Sequence, residues 1–432
     1  MEMLRKVKRM KMWHAVTTVL LIITFMLLAS ALVYTAAAPK GKVSIAYAWG
    51  GVEAESFNLM LDKFEEEYPG IKLERMEIPG GEFRDFISAK IAAGIPPDVV
   101  IHVLPGWLEE IVGIGEVLPL DDLWDDWVAK GWYTEEWRNM ITVNDHPYGA
   151  WVKASGRGLM WYTTAEFREL GVEEPKTWSE FTDLLERLKE EGKQPLLIGG
   201  KDGWPCKDWF ETVLLRTQGP EVHAKLVRHE IAWNDPAVRE TLEVIKDWIE
   251  KGYFQEEKLA YGFYEAFLKR TRGEAVLQHS GGWINGMTQA EFPMMLPGVD
   301  FTFFPMPAKE DIPFVESSSL DYMIILKNAK NIEEAKTVVS FLTGPDAQVI
   351  WAERGGYIAP NAKVLLTVYD LNSRKEAGLM KAADIILFNT GLIPSEMEYA
   401  LTSELQRFWD NPALLDEVLN ALESEAQKIY GK

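Results

Sequence analysis

Apolar and polar positions along this chain change period several times, and each change marks an element. In KVSIAYAW, Val43, Ile45, Tyr47 and Trp49 alternate with smaller residues, the two-residue period of a strand. Gly50-Gly51 turns the chain. Phe57, Met60, Leu61 and Phe64 then recur at helical spacing until Pro69-Gly70 stops the run. Ile71 and Leu73 open a second strand, and Phe83, Phe86, Ile87 and Ile91 line a second helix closed by Gly94. IPPDVVIHV supplies a third, buried-type strand, followed by a helix from Trp107. Strand–helix alternation at this spacing predicts βαβ units and a mostly parallel sheet.

A second domain starts near Lys153, beyond the turn NDHPYG. Leu159, Met160, Trp161 and Tyr162 form an apolar strand, a short helical turn follows, and Pro175 breaks the chain. Thr177 and Glu180 have the spacing of a capping box, in which each side chain satisfies an orphan N–H of the other's backbone. Behind that cap Phe181, Leu184, Leu185 and Leu188 share one helical face, and Gly192 ends the helix. Further on come an apolar strand at residues 195–198 and a helix opened by Asp235-Pro236 with the stripe Val238, Leu242, Ile245 and Trp248. YMIILKNAKNIEEAKTVVSFLTGPDAQ then reads as strand, turn, helix and Gly-Pro break. At 432 residues the chain is too long for one core, so two domains are the expectation.

The N-terminus differs from the rest. Residues 1–14 carry Arg5, Lys6, Lys8, Arg9 and Lys11 against one acid, Glu2, and an uncharged run covers residues 15–38. A basic start, an apolar run and small residues make an export signal, and the run is long enough to span a bilayer. Cleaved signal peptide and retained anchor both fit; Pro39, directly after Ala36-Ala37-Ala38, suits cleavage there poorly. No cysteine lies nearby, which excludes a lipid-anchored N-terminal cysteine. The net charge of −21 becomes more negative still without this segment, so phosphate neutralisation on a nucleic acid is excluded. The only cysteine, Cys206, has no intramolecular disulfide partner, and the six histidines show no zinc spacing. No cofactor and no metal are implied.

The stretch LGVEEPKTWSEF, following a Tyr-bearing strand, resembles the extracellular solute-binding proteins of sugar ABC importers, in their maltose/trehalose-binding group. The resemblance covers nearly all of the chain after residue 42. It implies an α/β, two-lobed clamshell of the periplasmic-binding-protein type, each lobe a mainly parallel sheet flanked by helices. It also implies interleaving: lobe one from residues 43–150 and 322–367, lobe two from 154–318 and 370–432, with hinge crossings near 150–155, 313–321 and 366–372. The implied function is capture of a sugar or oligosaccharide outside the cell membrane and delivery to ABC permease subunits by a monomeric receptor.

The chain holds 17 tryptophans, whose flat faces suit the C–H patch of a pyranose ring while polar groups at the rim take the hydroxyls. RGEAVLQHSGGW resembles the family motif G-x-A-(M/V)-x-x-x-G-x-W, whose tryptophan stacks on sugar, which makes Trp283 the leading site residue; Gly282 stands where many members have proline. Glu53, after Trp49-Gly50-Gly51, falls where the group places a sugar-binding carboxylate, in a loop at a strand's carboxyl end. Trp107 follows the third strand in the same way, although the acid common after that strand is replaced by Val103 and Leu104. Trp204 and Trp209 in GKDGWPCKDWFE, Tyr357 in RGGYIAP, Asp321 at the second crossing, and Tyr399 with nearby Glu396 complete the ligand-facing set. Lys153 and Arg157 at the first crossing pose a choice between an anionic sugar and solvated hinge cations. Catalytic motifs are missing: there is no G-x-S-x-G elbow, P-loop or dinucleotide fingerprint. With 66 acids, a glycosidase carboxylate pair is open on spacing alone, so an exported glycoside hydrolase is the rival reading and a surface scaffold the third.

Overall fold

The computed structural model describes residues 40–431 apart from 79, 102–104, 383–385 and 389–391. The apolar run at 15–38, and Val103 with Leu104, lie outside the described residues. Among those described, no helix is long and apolar enough to cross a membrane.

The alternating opening forms β1 (Gly41–Tyr47), and α1 (Gly51–Glu67) buries Phe57, Met60, Leu61 and Phe64 behind it. Gly51 begins α1 at φ +55°, a conformation that a residue with a Cβ resists. β2 (Ile71–Glu77) and β3 (Val99–Ile101) flank β1 in parallel. Two long-range strands extend this sheet. β4 (Ala150–Gly156) runs antiparallel to a strand from Glu316 to Ile325, which in turn pairs antiparallel with β3. The β4 ladder shifts register between Asp321 and Tyr322, leaving Lys153 opposite Asp321. A bulge there increases local twist midway along the paired run of the two strands.

Past β4 the chain enters a second sheet of three strands. β5 (Leu159–Thr163) lies between β6 (Gln278–Ser280) and β7 (Phe301–Pro305). Both pairings are antiparallel, which departs from the mainly parallel sheet expected here. The expected strand at 195–198 contributes only single parallel bridges at Leu196, to Phe254 and Leu277. Chain return explains the difference: β5 and its partners are joined through helices that reverse direction instead of through right-handed crossovers.

The capping box is present. Thr177 Oγ1 accepts from the Glu180 N–H at 3.1 Å, and Glu180 Oε2 accepts from the Thr177 N–H at 3.1 Å, opening α2 (Trp178–Glu190). Asp235 caps α4 (Pro236–Glu250), with α3 (Trp204–Thr217) before it and α5 (Trp283–Glu291) after it. The strand Glu316–Ile325 is β8; α6 (Pro345–Ala352), α7 (Leu371–Ala382), β9 (Ile386–Phe388) and α8 (Ser395–Asp410) follow.

Buried apolar residues fall into two main cores. One collects residues from Val43 to Ala154 and from Leu320 to Met380. The other collects Met160 to Met306 and Ile393 to Ala426, and a smaller cluster around Trp161, Trp283 and Phe303 lies beside it. The chain thus passes between cores three times. At the third passage α7 serves both: Met380 packs in the first core and Leu379 against the smaller cluster of the second. β9 returns to the first sheet by pairing with β8 in parallel.

Candidate functional site

β4 is the spine of the site. Side chains alternate along a strand, so Lys153 and Ser155 project from one face, and Arg157 follows directly after the strand's end. Lys153 Nζ meets Glu53 Oε1 from the first turn of α1. The same ammonium lies 5.7 Å from the Trp49 ring and 5.1 Å from that of Trp351, close enough for cation–π attraction. Trp49 packs edge-on against Trp351 at 4.9 Å. Tyr357 stacks on Trp351 from behind and is fully buried, its hydroxyl donating to the Val152 carbonyl. Burial raises that phenol well above its ordinary range. Expected to face ligand, Tyr357 instead braces the tryptophan that does border the cation.

Four residues further along the spine the arrangement repeats. The Arg157 guanidinium pairs with Asp208 of α3. It lies 5.2 Å from the Trp283 ring and 5.8 Å from the Trp204 ring. Trp204 and Trp283 meet edge to face at 5.9 Å, and Phe263 closes the group 4.7 Å from Trp204. Trp283 retains 8% exposure. Burial pushes the Asp208 carboxyl up to about 6, against the pull of Arg157. Asp208 Oδ2 and Arg157 Nε are buried with no hydrogen-bond partner among the described residues.

Between the two pairs lies Ser155, whose hydroxyl donates to Glu376 Oε1 at 3.2 Å. The same carboxyl oxygen accepts from the Gly156 N–H at 2.7 Å, and the Gly282 N–H donates to Ser155 Oγ at 3.0 Å. Fully buried, Glu376 is raised to about 8, first by desolvation, with Gly156 and Ser155 opposing. A Cβ on Gly282 would overlap both Glu376 oxygens, and one on Gly281 would overlap the Trp283 indole. Those overlaps account for the departure from proline at 282: the position must be vacant for the acid from α7.

The other expected residues lie apart from the spine. Trp209 is 1% exposed and packs on Trp248, Phe254 and His279 inside the second core. Trp107 is buried in the first core, with its edge toward Phe83. Asp321 is buried opposite Lys153 in the β4–β8 ladder. Tyr399 is 53% exposed, its hydroxyl donating to Asp85 at 3.2 Å and its ring under the Arg84 guanidinium at 4.2 Å. Since Arg84 and Asp85 belong to the helix Gly80–Ala92, Tyr399 of α8 clasps the two core regions together at their rim. Ser395, bonded to Glu110, and Glu398, bonded to Lys207 and 4.0 Å from Arg84, extend that clasp; neighbouring Glu396 is exposed.

Sequence reasoning missed Trp351, Phe263, Asp208 and Glu376. Asp208 carried a usable signal, lying four residues after Trp204 on the same helix face; the other three carried none. Two surface hollows, of about 400 Å³ beside Trp178 and Glu243 and about 520 Å³ beside Trp132 and Asp346, contain no residue of the spine. The spine itself is closed over, because α5 packs across onto the first core region: a Cβ on Gly286 would lie 2.8 Å from the Gly355 carbonyl.

The family model for bacterial extracellular solute-binding proteins matches residues 50–349. An uncharacterised ABC transporter extracellular-binding protein of Pyrococcus horikoshii is 28% identical over 332 residues, 75% of this chain and 73% of its own length. An alpha-glucosides-binding periplasmic protein of Rhizobium meliloti is 27% identical over 368 residues, 81% of this chain and 79% of its own. Among solved structures, a bacterial solute receptor with an exclusive preference for β-D-galactopyranose superposes with a TM-score of 0.82 at 20% identity, covering 91% of this chain and all of its own. At that identity the superposition speaks for the fold alone: a two-domain α/β architecture with mixed sheets.

Proposed function

We propose that this chain, which belongs to the bacterial extracellular solute-binding protein family, captures a neutral carbohydrate between its two lobes and delivers it to an ABC permease. The observation that carries the neutral-ligand reading is the compensation of both spine cations. Lys153 is matched by Glu53 and Arg157 by Asp208, each beside a pair of tryptophans. A site with apolar ring faces and balanced charge offers stacking and hydroxyl hydrogen bonds but no net attraction for an anion. The glucoside-binding relative supports the carbohydrate class. Binding without turnover, a monomeric receptor, export through residues 1–38, and lobes drawn from 43–150 with 322–367 and from 154–318 with 370–432 complete the reading. A ligand touching both lobes stabilises their closed arrangement, which is how capture becomes a signal to the permease.

A glycan screen by thermal shift is the test, because ligand at 100 times its dissociation constant adds about 2.7 kcal/mol to stability. Neutral sugars are expected to raise the midpoint, stay chemically intact on prolonged incubation, and bind equally well from about 50 to 500 mM salt, where exposed charge pairs are increasingly screened. Binding confined to uronates and lost with salt overturns the neutral reading; cleavage of the sugar overturns the receptor reading.

A further inference from the structure

All three passages between the cores meet at Gly156. This glycine ends β4, the first passage. A Cβ on it would lie 2.7 Å from Glu316 Oε1, at the start of β8 and the second passage. Its N–H donates at 2.7 Å to Glu376 of α7, which belongs to the third. Glu376 is thus a wedge between the end of β4 and the turn before α5, where Gly282 leaves room for it. Its Oε2 is buried with no hydrogen-bond partner among the described residues.

The cations around the wedge are matched by other groups. Lys153 pairs with Glu53, Arg157 with Asp208, and Arg216 of α3 reaches Glu316 at 3.5 Å. On α7 itself Arg374 donates to the carbonyls of Leu366 and Tyr369, and Lys375 pairs with Glu174 at 2.7 Å. The other titratable groups facing the wedge are Glu316, which repels a second negative charge, and Tyr369, whose phenol burial raises to about 12. An ionised Glu376 would be a buried charge with no counter-ion of its own. A chain relieves such a charge by protonating it or by letting water in.

We propose that Glu376 is a proton-operated latch of the hinge: protonated, it seats α7 in the notch formed by Ser155, Gly156 and Gly282, and ionised, it draws in water and lets α7 withdraw, so that the lobes open. Withdrawal is felt on both sides, because Met380 of α7 packs in the first core and Leu379 against the smaller cluster of the second. The sign follows from linkage. The seated acid is raised from 4.5 to about 8, so seating takes up a proton between those values and weakens as pH rises through them. The latch rests on the two-lobed receptor reading and adds to it a control of the lobe angle by proton concentration.

The test measures the distance between two spin labels on the full-length chain, one on each core region. Exposed Lys72 and Glu243, each replaced by Cys, carry them, since the native Cys206 is buried. Without ligand, the separation is expected to change by a few ångströms between about pH 4.5 and pH 8, reversibly and with the chain still folded by circular dichroism. Glu376→Gln keeps the shape without the titrating proton and should hold the low-pH separation throughout. Ser155→Ala removes one of the two donors that favour the carboxylate, so its midpoint should move to higher pH. A parent whose separation ignores pH overturns the latch, as does a response that Glu376→Gln leaves titrating or a midpoint that Ser155→Ala leaves in place. None of these outcomes touches the receptor reading, which sugar binding in the glycan screen decides.

Discussion

Gly282 and Glu376 occupy the same corner of the site: a Cβ on the glycine would overlap both carboxyl oxygens of the acid, which is fully buried and held by Ser155 and Gly156. The glycine belongs to the turn before α5 and the acid to α7, so their fit ties the tryptophan-bearing helix to the third passage between cores. Gly282→Ala should therefore destabilise the chain by about 1–3 kcal/mol, the usual cost of overpacking a filled site. Adding Glu376→Ala should recover much of that loss, because residues in contact are non-additive. Urea unfolding of the two single variants and the double variant measures the coupling, and strict additivity would show that the overlap is relieved at no cost.

Glu376 also gives the fold a pH dependence with a definite sign. Raised from 4.5 to about 8, it keeps its proton in the folded chain at pH values where the unfolded chain has lost it. The folded state then binds more protons across that window, so this contribution to stability is full below about pH 4.5 and is lost as pH rises through 8. Glu316, Lys153 and Ser155 are the polar groups that tune it. Glu376→Gln, of the same shape but without a titrating proton, should lose less thermal stability than the parent between about pH 5 and pH 8.5. Parallel curves for the two chains would place the titration elsewhere.

Trp283→Ala should weaken carbohydrate binding by about 1.5–3 kcal/mol, given the stacking area removed and the weight that central tryptophans carry. Since Trp283 also belongs to a buried cluster with Trp161 and Phe303, the variant should lose some stability as well. Calorimetry on folded variant separates the two effects, and an unchanged dissociation constant removes Trp283 from the site.

The rim clasp should govern the opening of the unliganded chain. Tyr399 reaches Asp85 and Arg84, Ser395 reaches Glu110, and Glu398 reaches Lys207 and Arg84, all at one edge. Replacing Ser395 and Tyr399 by Ala and Phe removes hydroxyl contacts that bridge the two core regions. The radius of gyration without ligand is then expected to rise by on the order of 1 Å in solution scattering, and sugar to reverse it. Identical scattering from parent and variant would mean that the hinge strands alone set the angle.

Local elements were legible in the sequence wherever a single segment carries its own physics. The Thr177–Glu180 box, the Asp235-Pro236 start and the α1 stripe formed as expected because each depends on residues within a turn or two of one another. Trp283, Glu53, Lys153 and Arg157 were legible only as candidates, polar and aromatic groups near strand ends and crossings. What tertiary structure alone decided is which of them meet. Lys153 finds Glu53 a hundred residues away, and Arg157 finds Asp208 across fifty-one. Glu376 reaches Ser155 across more than two hundred. Tyr357 and Trp209 look like ligand residues in the chain and become core in the fold, because burial is a property of everything packed around a side chain and no local period records it. The second sheet's antiparallel pairing was hidden for the same reason: a strand's own sequence fixes which faces are apolar, whereas the direction of its neighbour is set by the path the chain takes to return.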